Sequence, residues 1–440
     1  MPASGHVAAM RKVVMLAPLL LVSASPAVEQ PSPLRMRATV SALVAFGTRH
    51  SLSDPNAPKR GIGAARAWAN AQFDTIGADC GGCLTSETIA RDFTGPRAPN
   101  GVDIVDVLGV QKGSDPNRVV IIGGHIDSIV GDVMDAKADA PGANDDASGV
   151  AVVLEAARIL SKRKFRATII YAVFSGEEQG LWGGKLLADT AKERGWTVTA
   201  MLNNDIVGNS VGQGGVVANK SVRVFSEGIR ESEDLKGDLA RRMNGGEDDG
   251  PSRALAKTID QVAAGIRGGL DAFIVRRPDR FGRGGDHLPF LELGYPAVRF
   301  TVAAERWDGQ HQYVRTENGV AYGDTIDKMD FAYLAKVAAI NIATIRRLAA
   351  APAAPGGVTV QGALSRDTTV RWQPAEGAVK YRVHWRRADT QNWATSRDVV
   401  GATELVLKNV PIDDNFVGVS SIAADGSESL VTFAGPAPRR

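Results

Sequence analysis

The sequence predicts an α/β fold with a mostly parallel central sheet and helices on both faces, followed by a C-terminal β-sandwich module. Residues 119–122 and 167–174 form continuous apolar runs, as strands covered on both faces do. These runs alternate with stretches of helical periodicity, which favours parallel strand-helix-strand units. After residue 357 the pattern changes to short alternating strands separated by turn residues, which is typical of a sandwich.

The α/β unit is predicted over residues 35–349, and its elements alternate along the chain. We predict helices at 63–73, 148–160, 183–193 and 330–348, and strands at 102–110, 118–124, 167–174, 197–205 and 297–301. Residues 219–258 have no clear assignment and resemble an insertion, with a polar loop at 247–253.

A Pro- and Ala-rich linker is predicted at residues 350–357, and the module follows at 358–437. The segments Trp372-Gln373-Pro374 and Tyr381-Arg382-Val383, with Leu407 before Asn409-Val410, resemble a fibronectin type III module. Binding of a surface or a polysaccharide and service as a spacer are both open for this module.

The N-terminus has the pattern of an export signal, and we predict residues 1–27 as a signal peptide. Arg11 and Lys12 precede an apolar run of about ten residues, which suits a signal core and is too short for a stable membrane span. A membrane anchor is the alternative. No later segment has 18 uninterrupted apolar residues, so we expect a secreted or periplasmic mature chain without a membrane span.

The net charge and the two cysteines limit which binding partners and which metal sites the sequence supports. The formal net charge is +2, so we expect no nucleic acid as a partner. Cys80 and Cys83 form a single CGGC motif, for which a local disulfide in an exported protein and a thioredoxin-like redox role are both open. One such pair offers only two thiolates, which disfavours a structural zinc site.

His125 stands at the end of a buried strand, in His125-Ile126-Asp127. Proteins of α/β class place their ligands at the carboxyl ends of sheet strands. Residues two apart on an extended chain point the same way, so Asp127 can fix the tautomer of His125 and raise its basicity as a metal ligand. A core histidine capped by a carboxylate is the alternative for this motif alone.

Two acidic pairs stand at the edges of predicted elements. Asp145 and Asp146 precede a helix, where one aspartate would suffice as an N-cap. Glu177 and Glu178 follow a buried strand, and adjacent carboxylates repel each other unless a cation is present. A metal site uses both glutamates, because one binds the metal and the other stays free as a base.

Asp205 follows another apolar strand, and His311 lies in a predicted loop. Alone, Asp205 is typical of a turn and His311 of a solvated surface. Together with His125, Asp145 and Glu178 they offer imidazole and carboxylate groups without thiolate, which suits a catalytic zinc pair. The charges also favour two ions, since three carboxylates and a bridging hydroxide balance two divalent cations.

The motifs in this order resemble the M28 family of co-catalytic zinc aminopeptidases, over roughly residues 100–330. The motifs that carry the resemblance are His125-Ile126-Asp127, Asn144-Asp145-Asp146-Ala147-Ser148-Gly149, Glu177-Glu178 and Asp205. The resemblance implies a zinc exopeptidase-like fold and two zinc ions. It implies that Asp145 bridges both ions, with His125 and Asp205 on one and Glu178 and His311 on the other.

Further roles follow from the same resemblance. It implies Glu177 as the general base and Asp127 as the carboxylate behind the first histidine. His287 competes with His311 as the last ligand, but Asp286-His287 precedes a Gly-Tyr-Pro turn as the family's substrate-pocket segment does. We therefore expect His311 as the ligand, and Asp286 and His287 as pocket wall.

The expected activity is hydrolysis of peptide bonds with release of N-terminal amino acids. A free substrate amine needs negative charge, which Asp146 or Asp205 can supply. A carboxypeptidase is the nearest alternative, with Arg280 and Arg283 as candidates for binding a terminal carboxylate. A glutaminyl cyclase, which normally uses one zinc, and a catalytically dead peptide-binding protein are further alternatives.

A serine hydrolase motif, GxSxG, occurs at residues 208–212 around Ser210. The nucleophile of that class needs a helix directly after the serine, and a Gly-rich loop follows here. We therefore expect no role for Ser210 as a nucleophile.

Overall fold

The computed structural model describes Met1 and residues 29–437. The predicted signal peptide, residues 1–27, lies outside the described residues apart from Met1. Among the described residues, no helix combines the length and the apolar character that crossing a membrane requires.

Eight strands of the described chain form one mixed sheet. They are β1 (Thr85–Gly95), β2 (Ala98–Gln111), β3 (Asp115–His125), β4 (Ala167–Phe174), β5 (Thr197–Asn204), β6 (Ser221–Phe225), β7 (Asp271–Val275) and β8 (Ala297–Val302). Their order across the sheet is β1-β2-β4-β3-β5-β8-β6-β7. The central pairs β4–β3, β3–β5 and β5–β8 are parallel, as is β6–β7, and the other three are antiparallel.

Helices cover both faces of this sheet. They are α1 (Pro33–Val44), α2 (Gly61–Asp79), α3 (Ala147–Leu160), α4 (Glu177–Gly180), α5 (Trp182–Glu193), α6 (Leu235–Asn244), α7 (Pro251–Ala264), α8 (Leu288–Glu292) and α9 (Phe331–Ala350). Helices α1, α3, α7 and α9 pack against one another on one face. On the other face, α5 and α8 bury Leu186, Leu187 and Phe290 against Val119 and Ile121 of β3. The predicted α/β fold is confirmed.

The central strands form where the sequence is apolar throughout. Every residue of β4 is buried, and so are the last eight residues of β3, because helices cover both sides of these strands. Helix α3 begins where the Asp146 side chain accepts a hydrogen bond from the Gly149 N–H at 2.8 Å. This cap fixes the end of the loop that carries Asp145.

The segment that the sequence left unassigned contains regular structure. Residues 219–258 include β6, α6 and the first half of α7. The loop predicted at 247–253 is shorter than expected, since Pro251 occupies the first turn of α7. Proline suits that position because its missing N–H would have no partner there.

After β8, the short strands β9 (Arg315–Glu317) and β10 (Val320–Tyr322) form an antiparallel pair. The C-terminal part contains two four-stranded sheets that share one buried cluster. Their strands are β11 (Thr359–Gln361), β12 (Thr368–Arg371), β13 (Lys380–Arg387), β14 (Thr395–Val399), β15 (Glu404–Leu407), β16 (Asn415–Ile422), β17 (Thr432–Phe433) and β18 (Gly435–Pro436). The sheet orders are β15-β12-β11-β18 and β14-β13-β16-β17. Trp372, Val370, Tyr381 and Val419 pack between them. The fibronectin type III assignment and the domain boundaries stay predictions.

A buried ion pair joins this β-rich part to the α/β part. Arg386 of β13 is fully buried and pairs with Asp249, whose other oxygen accepts a hydrogen bond from Lys257 Nζ at 2.7 Å. Asp249 precedes α7 and Lys257 lies within it. A disulfide joins Cys80 and Cys83 just after α2.

Candidate metal centre and active-site cleft

The predicted site residues meet at the carboxyl ends of the central parallel strands. His125 is the last residue of β3, and Asp205 directly follows β5. Ser175 and Gly176 connect β4 to Glu177, and Asp145 lies in the loop before α3. Because these strands run in the same direction, their ends lie at one edge of the sheet. Residues that are distant in sequence are thereby brought together.

Two groups of donor atoms form at this edge, and Asp145 belongs to both. His125, Asp145 and Asp205 make up the first group, and Asp145, Glu178 and His311 the second. In the first group His125 Nε2 lies 3.1 Å from Asp145 Oδ1 and 3.9 Å from Asp205 Oδ1. In the second, His311 Nε2 lies 3.1 Å from both Asp145 Oδ2 and Glu178 Oε1.

Asp127 fixes the orientation of His125. The Nδ1 atom of His125 lies 3.1 Å from the main-chain oxygen of Asp127 and 3.6 Å from its Oδ1 atom. Both neighbours are acceptors, so Nδ1 carries the proton and Nε2 presents a lone pair to the cluster. The same carboxylate accepts hydrogen bonds from the N–H groups of Glu177 at 3.3 Å and Glu178 at 3.1 Å.

The residues at this edge fit a metal centre. His125 Nε2 and Glu178 Oε1 are buried and have no hydrogen-bond partner, which is costly for polar atoms. The donor set contains imidazole nitrogen and carboxylate oxygen, the combination found around catalytic zinc. Burial raises the pKa of Glu178, and the charge of Asp145 raises it further, against the opposing effect of His311. Divalent cations would relieve this repulsion.

Glu177 lies beside the two groups and lines the cleft. Burial raises the pKa of its carboxyl group well above the usual range, and the charges of Asp205 and Glu178 add to the effect despite His125. The positive charge of metal ions bound at the donor groups would oppose this rise and leave the carboxylate able to accept a proton. Its position and its electrostatics therefore suit a general base.

Arg299 balances the charge of Asp205 from behind the cleft. Its Nη2 lies 2.9 Å from Asp205 Oδ2, and its Nη1 lies 3.2 Å from Asp279 Oδ2. All three side chains are buried. Although burial raises the pKa of Asp205, the charge of Arg299 and the neighbouring His125 ring hold it below its usual value.

Three positioning residues escaped the sequence analysis. Asp324 accepts hydrogen bonds from the N–H groups of Asn144 and Asp145 and so fixes the loop that carries Asp145. Arg49 donates to the carbonyl oxygens of Ile126 and Gly142. Arg299 had a sequence signal, a lone cation within the apolar run of β8, whereas Arg49 and Asp324 had none.

Three predicted substrate contacts need correction. Asp146, Asp286 and His287 are fully buried and do not line the cleft. Asp146 accepts hydrogen bonds from the His125 and Gly149 N–H groups, and Asp286 accepts one from the Gly184 N–H. These carboxylates fix the backbone behind the site, because most of their hydrogen-bond donors are main-chain N–H groups.

His287 lies apart from the donor groups. Its Nε2 contacts the carbonyl oxygen of Pro278 at 2.8 Å and lies 3.8 Å from Asp279 Oδ2. The structure thus brings His311 to Asp145 and Glu178, and it does not bring His287 there. Ser210 donates to Asp330 Oδ2, which belongs to the residue that caps α9, so this hydroxyl has a structural partner.

A cleft of about 470 Å³ opens over the donor groups. Its walls include Asp145, Glu177, Glu178, Asp205, His311, Arg97, Arg280 and Arg283. Arg97 donates to the carbonyl oxygen of Glu178, which fixes one wall. The floor is thus acidic and the rim carries guanidinium groups.

Comparison with known proteins gives one consistent family. The family model described as Peptidase family M28 matches residues 106–345. A probable zinc metalloprotease of Leptosphaeria maculans is 42% identical, covering 93% of this chain and 96% of that one. The solved structure of LapB from Legionella pneumophila has a TM-score of 0.52 at 18% identity, with 72% of each chain covered. Glutaminyl cyclase from Fimbriiglobus ruber has a TM-score of 0.52 at 17% identity, covering 73% of this chain and 99% of that one. These two structures share the fold.

Proposed function

Since the chain belongs to peptidase family M28 and is a zinc metallopeptidase, we propose that it is an aminopeptidase that removes N-terminal residues from peptides. The observation that carries the proposal is the pair of donor groups that share Asp145, with Glu177 beside them in an open cleft.

We assign the ligands of two zinc ions from these groups. His125 and Asp205 would hold one ion, Glu178 and His311 the other, and Asp145 would bridge them. The proposal is supported by the lone pair that His125 presents to the cluster and by the unpartnered Glu178 oxygen. When bound, zinc lowers the pKa of a coordinated water and polarises the scissile carbonyl.

The protein's own groups would move the proton and hold the geometry. Glu177 would accept the proton of the attacking water on a carboxylate oxygen and later donate it to the leaving amine nitrogen. Asp127 would hold the His125 ring and the main chain of Glu177 in fixed positions relative to each other. Arg299 would hold Asp205 in place through its buried ion pair.

A carboxypeptidase is the second candidate, because Arg280 and Arg283 line the cleft and can bind a terminal carboxylate. The purified, zinc-loaded protein should be assayed with an aminoacyl anilide, an N-blocked dipeptide with a free C-terminus, and a peptide with N-terminal Gln. We expect the anilide to be hydrolysed. The N-blocked dipeptide and the peptide with N-terminal Gln should remain unchanged. Cleavage of the blocked dipeptide alone would identify a carboxypeptidase, and ring closure of the Gln peptide a cyclase.

The zinc content of the purified protein distinguishes an active zinc enzyme from a catalytically inactive peptide-binding protein. We expect two zinc ions per chain, loss of anilide hydrolysis after chelation, and recovery when zinc is restored. A chain that binds the peptides but neither binds zinc nor turns them over would contradict the proposal.

We also propose that the protein is exported. The N-terminal pattern and the disulfide between Cys80 and Cys83 support this, since disulfides persist in oxidising compartments. Fractionation of cells that express the full chain tests it, with N-terminal sequencing of the product. A cytosolic, unprocessed product would contradict it.

A further inference from the structure

A second cavity, of about 580 Å³, lies over the outer strands of the sheet. Strands β6 and β7 are parallel neighbours, with Arg223 opposite Phe273 and Phe225 opposite Val275. Residues two apart on a strand face the same side, so these four side chains form one surface. All four line the cavity, which gives it an apolar base with a cationic edge.

The loop after β7 supplies the rest of the wall. We call the cavity the arginine–aromatic groove and define it by Phe273, Arg277, Arg280, Phe281, Arg283 and Trp307. Three of its aromatic side chains are exposed, Phe273 by 56%, Phe281 by 92% and Trp307 by 62%. Large apolar side chains gathered at one exposed place mark a binding surface more often than scattered ones do.

Positive charge dominates this groove. Five arginines line it, and Glu305 is the single acidic lining residue in the described part of the chain. Glu305 pairs with Arg223 at 2.7 Å and with Arg283 at 2.7 Å. The two carboxylate oxygens of Glu305 are therefore engaged by Arg223 and Arg283.

Two guanidinium groups keep free hydrogen-bonding capacity. Within residues 29–437 no carboxylate oxygen lies within 4.0 Å of Arg277, which is exposed. The Arg280 side chain is only 8% exposed, and its Nη1 has no hydrogen-bond partner, the nearest Glu305 oxygen being 3.6 Å away. A buried, unpartnered guanidinium nitrogen is suited to a carboxylate that arrives with a ligand.

The groove adjoins the catalytic cleft. Arg280 and Arg283 line both cavities. A peptide whose amino end lies at the donor groups of the cleft has only its C-terminal side left to continue. We infer that this side extends past the two arginines toward the groove.

We propose that the arginine–aromatic groove binds the part of the peptide on the C-terminal side of the scissile bond and selects for carboxylates there. This proposal rests on the aminopeptidase function proposed above. The guanidinium groups pair with carboxylates, and the exposed rings pack on the backbone and apolar side chains between them. The carboxylates are side chains of Asp and Glu or the free C-terminus of a short peptide.

Measurements of peptide binding test the groove proposal independently of catalytic turnover. Fluorescent hexapeptides that begin with Leu and carry Glu, Gln or Lys at positions four and five are titrated against the zinc-loaded Glu177→Gln variant, each as C-terminal acid and amide. We expect the Glu peptides to bind about tenfold more tightly than the Lys peptides, with a gap that shrinks as salt rises. A Glu-over-Gln preference among the amides identifies side-chain carboxylates, and an acid-over-amide preference among the Gln peptides identifies the terminal one.

The matched variants are Arg277→Glu, in the groove, and Arg366→Glu, an exposed arginine of the C-terminal part. Both are made in the same Glu177→Gln background. We expect Arg277→Glu to remove or reverse the preference for Glu peptides and Arg366→Glu to leave it unchanged. Equal binding of all peptides, or equal effects of the two variants, would overturn the groove proposal.

Anilide hydrolysis by the unmodified protein is measured in parallel, since an anilide has no downstream residues. If the anilide is not hydrolysed while the binding preference persists, the aminopeptidase proposal fails and a carboxylate-binding groove stands. If the anilide is hydrolysed without a binding preference, the groove proposal alone fails.

Discussion

Arg299 and Asp205 form a buried ion pair across two neighbouring parallel strands, with Nη2 and Oδ2 2.9 Å apart. Arg299 lies within β8, and Asp205 directly follows β5. The pair directs the other oxygen of Asp205 to the side of His125. The framework of the sheet thereby sets the geometry of one proposed zinc ligand.

Replacement of Arg299 tests this relationship. Arg299→Met leaves the buried Asp205 without its arginine and Asp279 with Arg280 as its remaining arginine, so we expect the free energy of unfolding to fall by about 3–5 kcal/mol. Arg299→Lys keeps the charge but not the planar fork, and its loss should be smaller. Urea unfolding of the zinc-loaded proteins measures both. An unchanged midpoint for Arg299→Met would contradict the assigned role.

The different roles proposed for Glu177, as general base, and Glu178, as zinc ligand, give a second prediction. Glu177→Gln should lower kcat by about 10²–10⁴-fold with unchanged zinc content, because only the proton acceptor is removed. Glu178→Gln should lower zinc content as well, since it removes a proposed ligand. Metal analysis beside anilide kinetics separates the two. Joint loss of zinc and activity in Glu177→Gln would refute its role as base.

Zinc should stabilise the folded chain. The buried carboxylates of Asp145, Glu178 and Asp205 lie close together, and cations that bind only the folded state relieve their repulsion. At a free zinc concentration about a hundredfold above its Kd, the stabilisation is about 2.7 kcal/mol. Thermal unfolding with zinc, with chelator and with magnesium measures it, and we expect magnesium to stabilise less because imidazole suits zinc better. Identical curves in all three would speak against the site.

The ion pair between Asp249 and Arg386 should contribute strongly to stability. Asp249→Ala leaves Arg386 buried without its carboxylate, so we expect a loss of about 3–5 kcal/mol. The matched control is Glu404→Gln, which breaks the exposed pair with Arg371 and should cost no more than about 1 kcal/mol. Chemical unfolding monitored by tryptophan fluorescence compares them. Equal effects would mean that burial does not strengthen the Asp249 contact.

Acid pH should destabilise the folded C-terminal part, because Glu428 becomes protonated there. Although burial raises it, hydrogen bonds from His384 and Ser420 and the charge of Arg347 hold the pKa of Glu428 at about 2, below its usual 4.5. A lowered pKa stabilises the fold above the unfolded value, and the contribution is lost as the pH falls from about 4.5 to about 2. It amounts to at most about 3 kcal/mol.

Glu428→Gln removes this titration. The variant should be less stable than the parent at pH 7, and the difference should shrink at acid pH. Unfolding midpoints across the acid range check the sign. A difference that grows as the pH falls would contradict it.

The parts of the site that follow local patterns were predictable from the sequence. His125, Glu177, Glu178 and Asp205 each follow an apolar run, and the end of such a run is where a parallel strand delivers its ligands. Asp145 could be placed because the helix after it has a clear start. Strand β4 was predicted with its observed bounds, since its burial on both faces leaves no charged residue in it.

The parts that depend on long-range packing were not predictable in this way. Asp324 lies 180 residues from Asn144, and only the fold brings its carboxylate to that backbone. Asp146 looked available to substrate because the sequence does not reveal which backbone N–H groups its oxygens accept. Strands β6 and β7 are short and β1 is largely exposed, so their patterns carried no continuous apolar signal.

Asp127 links β3 to the glutamate pair, because one carboxylate faces the His125 ring and accepts the N–H groups of Glu177 and Glu178. A shift of this single side chain would displace an imidazole and two acids together. Asp127 should therefore tolerate substitution poorly, because the positions of His125, Glu177 and Glu178 all depend on its carboxylate.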